Sequence, residues 1–204
     1  MKKIFTDAVL AGIMISIGGI VYLSAENKTT GAFLFSFGLF TIIRYGFGLY
    51  TGKVGYIPEN KLKYIPEVLM TFVGNMVGTG LISILIRFTR IWDKIHKNAE
   101  ISMSLKISDS FQSNFILGIL CGLLMYLAVE NGKKCLNKSD VSFVFGTFVP
   151  VMIFILSGFN HSIADCFYYF SAVPDLQGFL YILTVAGGNA VGGMIVPLAK
   201  KIRK

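Results

Sequence analysis

The chain has 204 residues, of which 54% are hydrophobic and only 15% are charged, and its mean hydropathy is +0.67. Soluble domains usually carry about 25% charged residues, so this composition excludes an ordinary soluble enzyme and predicts an integral membrane protein. The net charge of +8 does not indicate nucleic-acid binding, because the lysines and arginines lie at the ends of apolar segments, where they orient membrane spans.

Six apolar segments are long enough to cross a bilayer, which needs about 20 residues per helix. In chain order the predicted spans are 8–24, 31–50, 65–86, 111–129, 141–170 and 179–198. Glycine and polar residues interrupt the second and the fifth. The sequence therefore predicts an all-α membrane protein with six transmembrane helices, of which the second and fifth are broken.

The first span follows Met1-Lys2-Lys3 and ends near Leu23-Ser24-Ala25, a pattern that also fits a secretory signal peptide. Removing it would leave the first half of the chain without a counterpart to the span at 111–129. We therefore favour a retained first span.

Two short motifs recur across the midpoint of the chain. Gly74-Asn75-Met76-Val77-Gly78 in the third span recurs as Gly188-Asn189-Ala190-Val191-Gly192 in the sixth, 114 residues later. Ala11-Gly12-Ile13 in the first span resembles Leu117-Gly118-Ile119 in the fourth, 106 residues later. Both pairs keep the same order, which indicates an internal repeat.

The interrupted stretches near Thr51 and His161 are 110 residues apart and fit the same repeat. Because each half has three spans, the second half enters the membrane from the opposite side. This predicts two inverted three-helix repeats over approximately 1–100 and 101–204, an arrangement whose broken helices line a central site.

The breaks carry functional information, because an unpaired backbone group in hydrocarbon costs several kcal/mol. Irregular backbone at membrane depth is therefore buried in protein or lines a polar cavity. Residues 46–55 and 157–162 both have the composition of such breaks. Together they predict a pore.

The three cysteines, Cys121, Cys135 and Cys166, are odd in number and lack CxxC or Cys/His ligand spacing, so we expect no disulfide and no metal site. The sequence has no glycine-rich phosphate loop, no nucleophile elbow and no HExxH motif. We therefore expect no enzyme activity and no cofactor.

The two breaks resemble those of the formate/nitrite transporter family. Residues 158–165, Gly-Phe-Asn-His-Ser-Ile-Ala-Asp, resemble the family's Gly-Phe-Glu-His-Ser-x-Ala-Asn in the fifth helix, and residues 49–52, Leu-Tyr-Thr-Gly, resemble its Leu-Phe-Thr-Gly in the second. Residues 118–121 and 188–193 match further family positions. The likeness runs across all six predicted spans in order.

Members of that family are homopentamers of six-span, aquaporin-like protomers, and each protomer has its own pore for formate, nitrite, hydrosulfide or short organic acids. The resemblance therefore implies that residues 1–204 form a single transmembrane channel domain in the cell inner membrane. Its implied partners are small anions, the lipid bilayer and further copies of the chain in a homopentamer.

The resemblance also assigns residues to the pore. His161 would be the central pore histidine, Thr51 its partner in the second-helix loop, and Asn189 would face the centre. Lys106 matches the family lysine that draws anions toward the entrance. The apolar constrictions would be formed by Phe35, Leu39, Leu49, Tyr50 and Phe154.

Five positions depart from the family pattern. Asn160 replaces a glutamate and Asp165 replaces an asparagine. Gly48 replaces an acid, Gly122 replaces an asparagine, and Tyr50 adds a hydroxyl where phenylalanine is usual. These changes leave the identity of the anion open.

A histidine at bilayer depth is costly and is therefore a functional candidate with an expected partner. Burial favours the neutral imidazole of His161, which could donate a hydrogen bond to an anion or relay a proton to it. The structural alternative is a histidine that only holds the broken helix. Because apolar constrictions penalise a full charge, a weak acid that accepts a proton would cross more easily.

Other charged residues have simpler expected parts. Arg44, inside the second span, would bond freed carbonyls at the break or neutralise Asp165. The alternative for Lys106 is a solvated lysine in the connection 87–110, and His96 in the same connection is expected to be solvated.

Charge predicts that both termini are cytoplasmic. With that orientation twelve of the 19 basic residues lie on the cytoplasmic side, as the positive-inside rule requires. They are Lys2, Lys3, Lys53, Lys61, Lys63, Lys133, Lys134, Lys138, Lys200, Lys201, Arg203 and Lys204.

Three other functions are considered. A channel for neutral solutes shares the six-span plan, but its paired Asn-Pro-Ala motifs are absent from this sequence. A proton/anion symporter would drive flux uphill on a pH gradient. A non-transporting membrane scaffold or sensor would show no flux and would tolerate substitutions at both breaks.

Overall fold

The computed structural model describes residues 1–135 and 140–203. Lys138 and Lys204, which belong to the predicted charge bias, lie outside these residues. The regular elements in the described ranges are helices. The all-α class predicted from the sequence is confirmed.

The first half of the chain folds into a broken helix between two continuous ones. Its elements are α1 (Lys2–Ser24), α2 (Lys28–Tyr45), the short α3 (Tyr50–Lys53) and α4 (Ile65–Ile86). Two 3₁₀ turns, Val54–Glu59 and Leu62–Tyr64, join α3 to α4. Asn27 starts α2 as a side-chain cap, since its Oδ1 accepts a hydrogen bond from the Thr30 N–H at 2.9 Å.

The second half repeats this order after an additional helix. Its elements are α5 (Trp92–Ile107), α6 (Phe111–Cys135), α7 (Asp140–Leu156), α8 (Ser162–Ser171) and α9 (Leu176–Ile202). Asp175 caps α9 by accepting a hydrogen bond from the Gly178 N–H at 2.7 Å.

Four helical segments in the described ranges are long and apolar enough to cross a membrane, at 2–24, 62–86, 111–135 and 176–202. α2 and Tyr50–Glu59 form a pair bent by 58°, which adds a fifth if it is one broken span. Val141–Leu156 is a shorter apolar helix. These segments agree with the predicted positions, and the count of six crossing segments stays a prediction.

The connection 87–110 contains α5, a helix that the hydropathy pattern of the sequence does not predict. Ile95, Ala99 and Met103 are buried and lie four residues apart, so they form one apolar stripe along the helix. The polar residues between them lower the mean hydropathy of the segment, so a hydropathy profile does not show this stripe. The stripe packs against α8 and α9 in a separate core cluster.

Polar side chains of α5 bond the carboxyl ends of two other helices. Lys94 Nζ donates to the Ser24 carbonyl at the end of α1 at 2.7 Å. His96 Nδ1 lies 2.8 Å from the Ser171 carbonyl at the end of α8, so this nitrogen carries the donated proton. The expectation that His96 is merely solvated was wrong, because helix ends need donors for their last carbonyls.

Candidate functional site

The two helix breaks have the same backbone geometry. Gly46 follows α2 with φ 70°, and Gly158 follows α7 with φ 71°, a left-handed conformation that glycine adopts without strain. In both breaks the N–H of the next residue, Phe47 or Phe159, donates a hydrogen bond of 2.9 Å to a carbonyl oxygen of the preceding helix. Corresponding residues of the two breaks are therefore 112 positions apart.

Asn75 in α4 holds the first break. Its Oδ1 accepts a hydrogen bond from the Tyr50 N–H at 2.8 Å, at the start of α3. Its Nδ2 donates to the carbonyl oxygens of Ala8 at 2.7 Å and Gly48 at 2.8 Å. This buried amide thus links α1, the break and α3.

Asn189 in α9 holds the second break with the same three bonds. Its Oδ1 accepts from the Ser162 N–H at 2.9 Å, and its Nδ2 donates to the carbonyls of Gly118 at 2.8 Å and Asn160 at 2.9 Å. The family resemblance placed Asn189 facing the centre of the pore. In the structure its amide forms hydrogen bonds with backbone groups, so Asn189 has a structural role at the break.

Close helix packing fixes the register between the halves. A Cβ on Gly12 would overlap the backbone oxygen of Asn75, and a Cβ on Gly122 would overlap that of Asn189. Gly12 therefore corresponds to Gly122, 110 residues later. The pairing of Gly12 with Gly118 was wrong by four residues, about one helical turn.

His161 and Thr51 face each other in the protein interior, with Nε2 and Oγ1 3.0 Å apart and side chains 1% and 0% exposed. The Ala164 N–H donates to His161 Nδ1 at 3.1 Å, which makes His161 the side-chain cap of α8. This bond assigns the proton of the neutral ring to Nε2. His161 therefore donates to the Thr51 oxygen, whose own hydrogen is left for another acceptor.

Apolar side chains surround this pair. The Phe154 ring stacks on the His161 ring with centroids 5.4 Å apart, and Phe35 meets Phe154 edge-on at 6.2 Å. Leu39 and Leu49 are buried in the same core cluster. All five residues expected at the constrictions thus belong to one buried cluster, which contacts the histidine through Phe154.

Tyr50, the fifth, is anchored by its hydroxyl. The hydroxyl donates to the Ala186 carbonyl of α9 at 3.1 Å, and the ring packs on Phe72 at 4.9 Å. The departure from phenylalanine therefore adds a bond between the two halves of the chain.

Ser162, the first residue of α8, has a buried hydroxyl oxygen without a hydrogen-bond partner among the described residues. Buried polar atoms are nearly always paired in native proteins. Ser162 directly follows His161 in the chain, so its unpaired hydroxyl is a candidate donor and acceptor at the start of α8.

Two cavities approach the pair from the two breaks. The His161 cavity, of about 100 Å³, is lined among others by Phe35, Lys106, Phe154, Phe159, His161 and Asp165. The Leu49 cavity, of about 130 Å³, is lined among others by Ile42, Phe47, Leu49, Gly52, Lys53 and Lys133. Phe47 and Phe159 are 112 positions apart, as are Leu49 and His161, so the cavities occupy equivalent places in the two halves.

Lys106 is part of a buried network in the His161 cavity. Its Nζ lies 2.8 Å from Asp165 Oδ1 and 2.9 Å from Asn160 Oδ1, and Asp165 Oδ2 accepts from the Tyr181 hydroxyl at 2.7 Å. Lys106 is 22% exposed and Asp165 1%. The alternative of a solvated loop lysine was wrong, and the expected role of Arg44, bonding freed carbonyls at the break or neutralising Asp165, stays a prediction.

Sequence reasoning missed three contributors to these cavities. Lys53 and Lys133 were expected only to orient the membrane spans, yet both line the Leu49 cavity. Tyr181, which bonds Asp165, was not singled out. Lys53 is matched with Asp165 only by the offset of 112 that the geometry of the two breaks gives, and the sequence alone did not provide this offset.

The family model of the formate/nitrite transporters matches residues 1–200. The formate channel FocA of Escherichia coli (strain K12) is 29% identical over 189 residues, and the formate channel FocB of the same strain is 25% identical over 186. Each match covers 81% of this chain and 64% of the relative. The chain thus spans less than two thirds of the length of these two channels.

Two solved structures share the fold. A pentameric formate channel with formate bound has a TM-score of 0.83 at 24% identity and covers 99% of this chain and 96% of its own. An FNT family ion channel has a TM-score of 0.84 at 18% identity, with 99% and 90% covered. The relatives named here are channels, which agrees with the expectation that the chain is not an enzyme.

Proposed function

The chain belongs to the formate/nitrite transporter family, and on that premise we propose that it forms a membrane channel for small monovalent weak-acid anions such as formate, nitrite or hydrosulfide. The observation that carries the proposal is the buried His161–Thr51 pair, with its atoms 3.0 Å apart. One cavity reaches His161, and the other is lined by Leu49, two residues before Thr51, and by Gly52, directly after it.

The pair supplies hydrogen bonds where water is excluded. The Nε2–H of His161 and the hydroxyl of Thr51 can turn to a small acceptor, and the unpaired Ser162 hydroxyl is a third candidate. The amino-terminal end of α8 adds a partial positive charge on the same side. These groups favour an oxygen or sulfur acceptor of a few atoms.

The apolar side chains select the species that crosses. Phe35, Leu39, Leu49, Tyr50 and Phe154 act as constrictions that penalise a full charge, since a bare ion is expensive in a low-dielectric passage. A weak acid lowers this cost by accepting a proton from the solution before it enters the constriction. Lys106 raises the local anion concentration at one entrance, and Asn189 acts through the backbone of the break.

The proposed assembly is a homopentamer in the inner membrane, in which each copy forms one channel domain over residues 1–204 with inverted repeats at about 1–100 and 101–204. The pentameric state of the formate channel with the same fold supports it. Both termini lie in the cytoplasm, supported by the twelve basic residues that this orientation places there.

Uptake by proteoliposomes tests the function. We expect formate uptake to accelerate as the external pH falls toward the pKa of formic acid, whereas chloride, which cannot be neutralised at these pH values, passes poorly throughout. Equal, pH-independent uptake of formate and chloride would eliminate the proton-assisted mechanism. Glycerol uptake would favour a neutral-solute channel, formate accumulation against its gradient a symporter, and no flux a scaffold or sensor.

A further inference from the structure

We infer that the Leu49 cavity is an anion-loading mouth of higher positive charge than the His161 cavity, so that the two ends of the channel take up monovalent anions with unequal affinity. The inference rests on the proposed channel function and adds a polarity to it. It follows from which charged side chains line each cavity and from what neutralises them.

The Leu49 cavity holds two lysines, Lys53 and Lys133, and its other lining residues are apolar or glycine. Lys53 closes the short helix α3 directly after Thr51 and Gly52, and Lys133 lies in the last turn of α6. Two lysine side chains thus line one small cavity, together with Leu49, which is one of the predicted constrictions.

The carboxylate of Glu130, one turn before Lys133, is occupied by other partners. Its Oε2 accepts from the Tyr56 hydroxyl at 2.9 Å, and its Oε1 lies 3.1 Å from Lys134 Nζ and 3.7 Å from Lys200 Nζ. Lys133 Nζ lies instead over the Tyr56 ring, 4.1 Å from its centroid. A cation–π contact holds an ammonium group in place without cancelling its charge.

The His161 cavity is different because its lysine is paired. Lys106 Nζ lies 2.8 Å from Asp165 Oδ1, and both residues line that cavity. Asp165 corresponds to Lys53 at the offset of 112 that relates the two breaks. The repeat therefore places an anion in one mouth and a cation at the equivalent position of the other.

Unequal charge at the two mouths changes how strongly each mouth attracts anions, but it does not change the equilibrium distribution of anions across the membrane. A cavity with low-dielectric walls and two cations concentrates small anions at its mouth, and this effect weakens as salt screens the charges. A passive channel still equilibrates its permeant ion, so the net direction of flux follows the gradient. The difference appears as a lower half-saturating anion concentration on the Leu49 side.

The rates at which introduced cysteines react with charged reagents report the charge of each mouth, and they do not depend on transport. Phe47→Cys and Phe159→Cys place one thiol in each cavity, in a Cys135→Ser background, since Cys121 and Cys166 are buried. Each variant is treated with an anionic and a cationic methanethiosulfonate reagent. We expect the anionic-to-cationic rate ratio to be about ten-fold higher at Phe47→Cys, because two lysines line that cavity and neither forms an ion pair with a carboxylate of the described residues.

The lysines themselves provide the second arm. Lys53→Gln with Lys133→Gln should bring the Phe47→Cys ratio down to that of Phe159→Cys, whereas Lys61→Gln, a matched exposed lysine, should leave it unchanged. In proteoliposomes of known orientation, the same double substitution should raise the half-saturating formate concentration from the Leu49 side several-fold at low salt only.

Two results would overturn the inference: equal ratios in the two mouths, or a Phe47→Cys ratio that ignores the loss of both lysines. If the unsubstituted channel passes no formate, the proposed function fails while the reagent ratios still decide the charge difference. Formate flux together with equal ratios would remove the inference and leave the function standing.

Discussion

Asn75 and Asn189 each hold a helix break with the same three side-chain hydrogen bonds, one accepted and two donated. All six partners are backbone groups, and the two breaks are the points where a helix loses its own backbone bonds. Water is not available at membrane depth to replace those bonds. Each break therefore depends on a side-chain amide from the helix that packs against it.

Replacing either asparagine with alanine should destabilise the protein by about 2 kcal/mol or more, because two buried backbone groups of the break lose their partner at about 1–3 kcal/mol each. Thermal unfolding in detergent measures the loss. Val77→Ala and Val191→Ala are matched controls on the same helices, with side chains 46% and 42% exposed. Asparagine variants as stable as these controls would contradict the structural part assigned to the amides.

Gly12→Ala and Gly122→Ala should both reduce the yield of folded protein. Each new Cβ would overlap a backbone oxygen of the facing helix, so the helices must separate, at a cost of about 1–3 kcal/mol or more. Gly187→Ala is the matched control, since the nearest atom to its Cβ, on Phe115, is 3.5 Å away. Equal thermal stability of all three variants would mean that the helix pairs are not packed this closely.

Lys106→Met should destabilise the protein strongly, because it leaves the buried Asp165 carboxylate unpaired, at a cost of about 3–5 kcal/mol for a fully buried pair. The 22% exposure of Lys106 places the expected loss at the lower end. Lys106→Met combined with Asp165→Asn should recover most of the stability. Thermal unfolding of the single and double variants tests this, and a double variant no more stable than Lys106→Met would refute the pairing.

Replacing Lys106 alone tests anion attraction, and the double variant, which removes one charge of each sign, is its charge-neutral control. If Lys106 draws anions to the entrance, formate uptake by folded Lys106→Gln should fall relative to the double variant, most at low substrate concentration and low ionic strength, where charges are least screened. Uptake measured over a series of salt concentrations shows this directly. A loss of uptake that is independent of salt would argue against attraction by this lysine.

His161→Asn and His161→Phe should separate the two bonds of the histidine. Asparagine keeps a side-chain cap for the Ala164 N–H, whereas phenylalanine loses it, at about 1 kcal/mol. We expect both variants to fold, with His161→Phe less stable, and both to alter formate uptake and selectivity because the Nε2–H donor is gone. Unaltered uptake by folded His161→Phe would place the pore elsewhere.

The sequence predicted the elements whose physical signals are local. Long apolar runs located the helices at 65–86 and 111–135, and glycine with polar residues inside apolar runs located both breaks. The repeated Gly-Asn-x-Val-Gly motif singled out Asn75 and Asn189 before their bonds were known. These signals can be read without knowing the tertiary contacts. An irregular backbone at membrane depth leaves hydrogen-bonding groups unpaired, which costs free energy, so such irregularities are confined to special sites.

What the sequence could not predict depends on packing between distant segments. Gly12 matches Gly118 or Gly122 equally well on one helix face, and only the backbone of Asn75 and Asn189 decides the register. The partner of Asp165 could not be chosen among basic residues either. Lys106 reaches it because α5 is pinned to the ends of two other helices, and α5 itself is concealed by its polar residues.

The Ala164 N–H on His161 Nδ1 bears on how protons can move through the molecule. Hopping along a Grotthuss chain requires an imidazole to take a proton on one nitrogen and release it from the other. Here the backbone blocks one nitrogen, so such a wire is interrupted unless the first turn of α8 opens. In the absence of a permeant acid the protein should therefore conduct no protons. Protons should cross the membrane only as part of protonated substrate molecules.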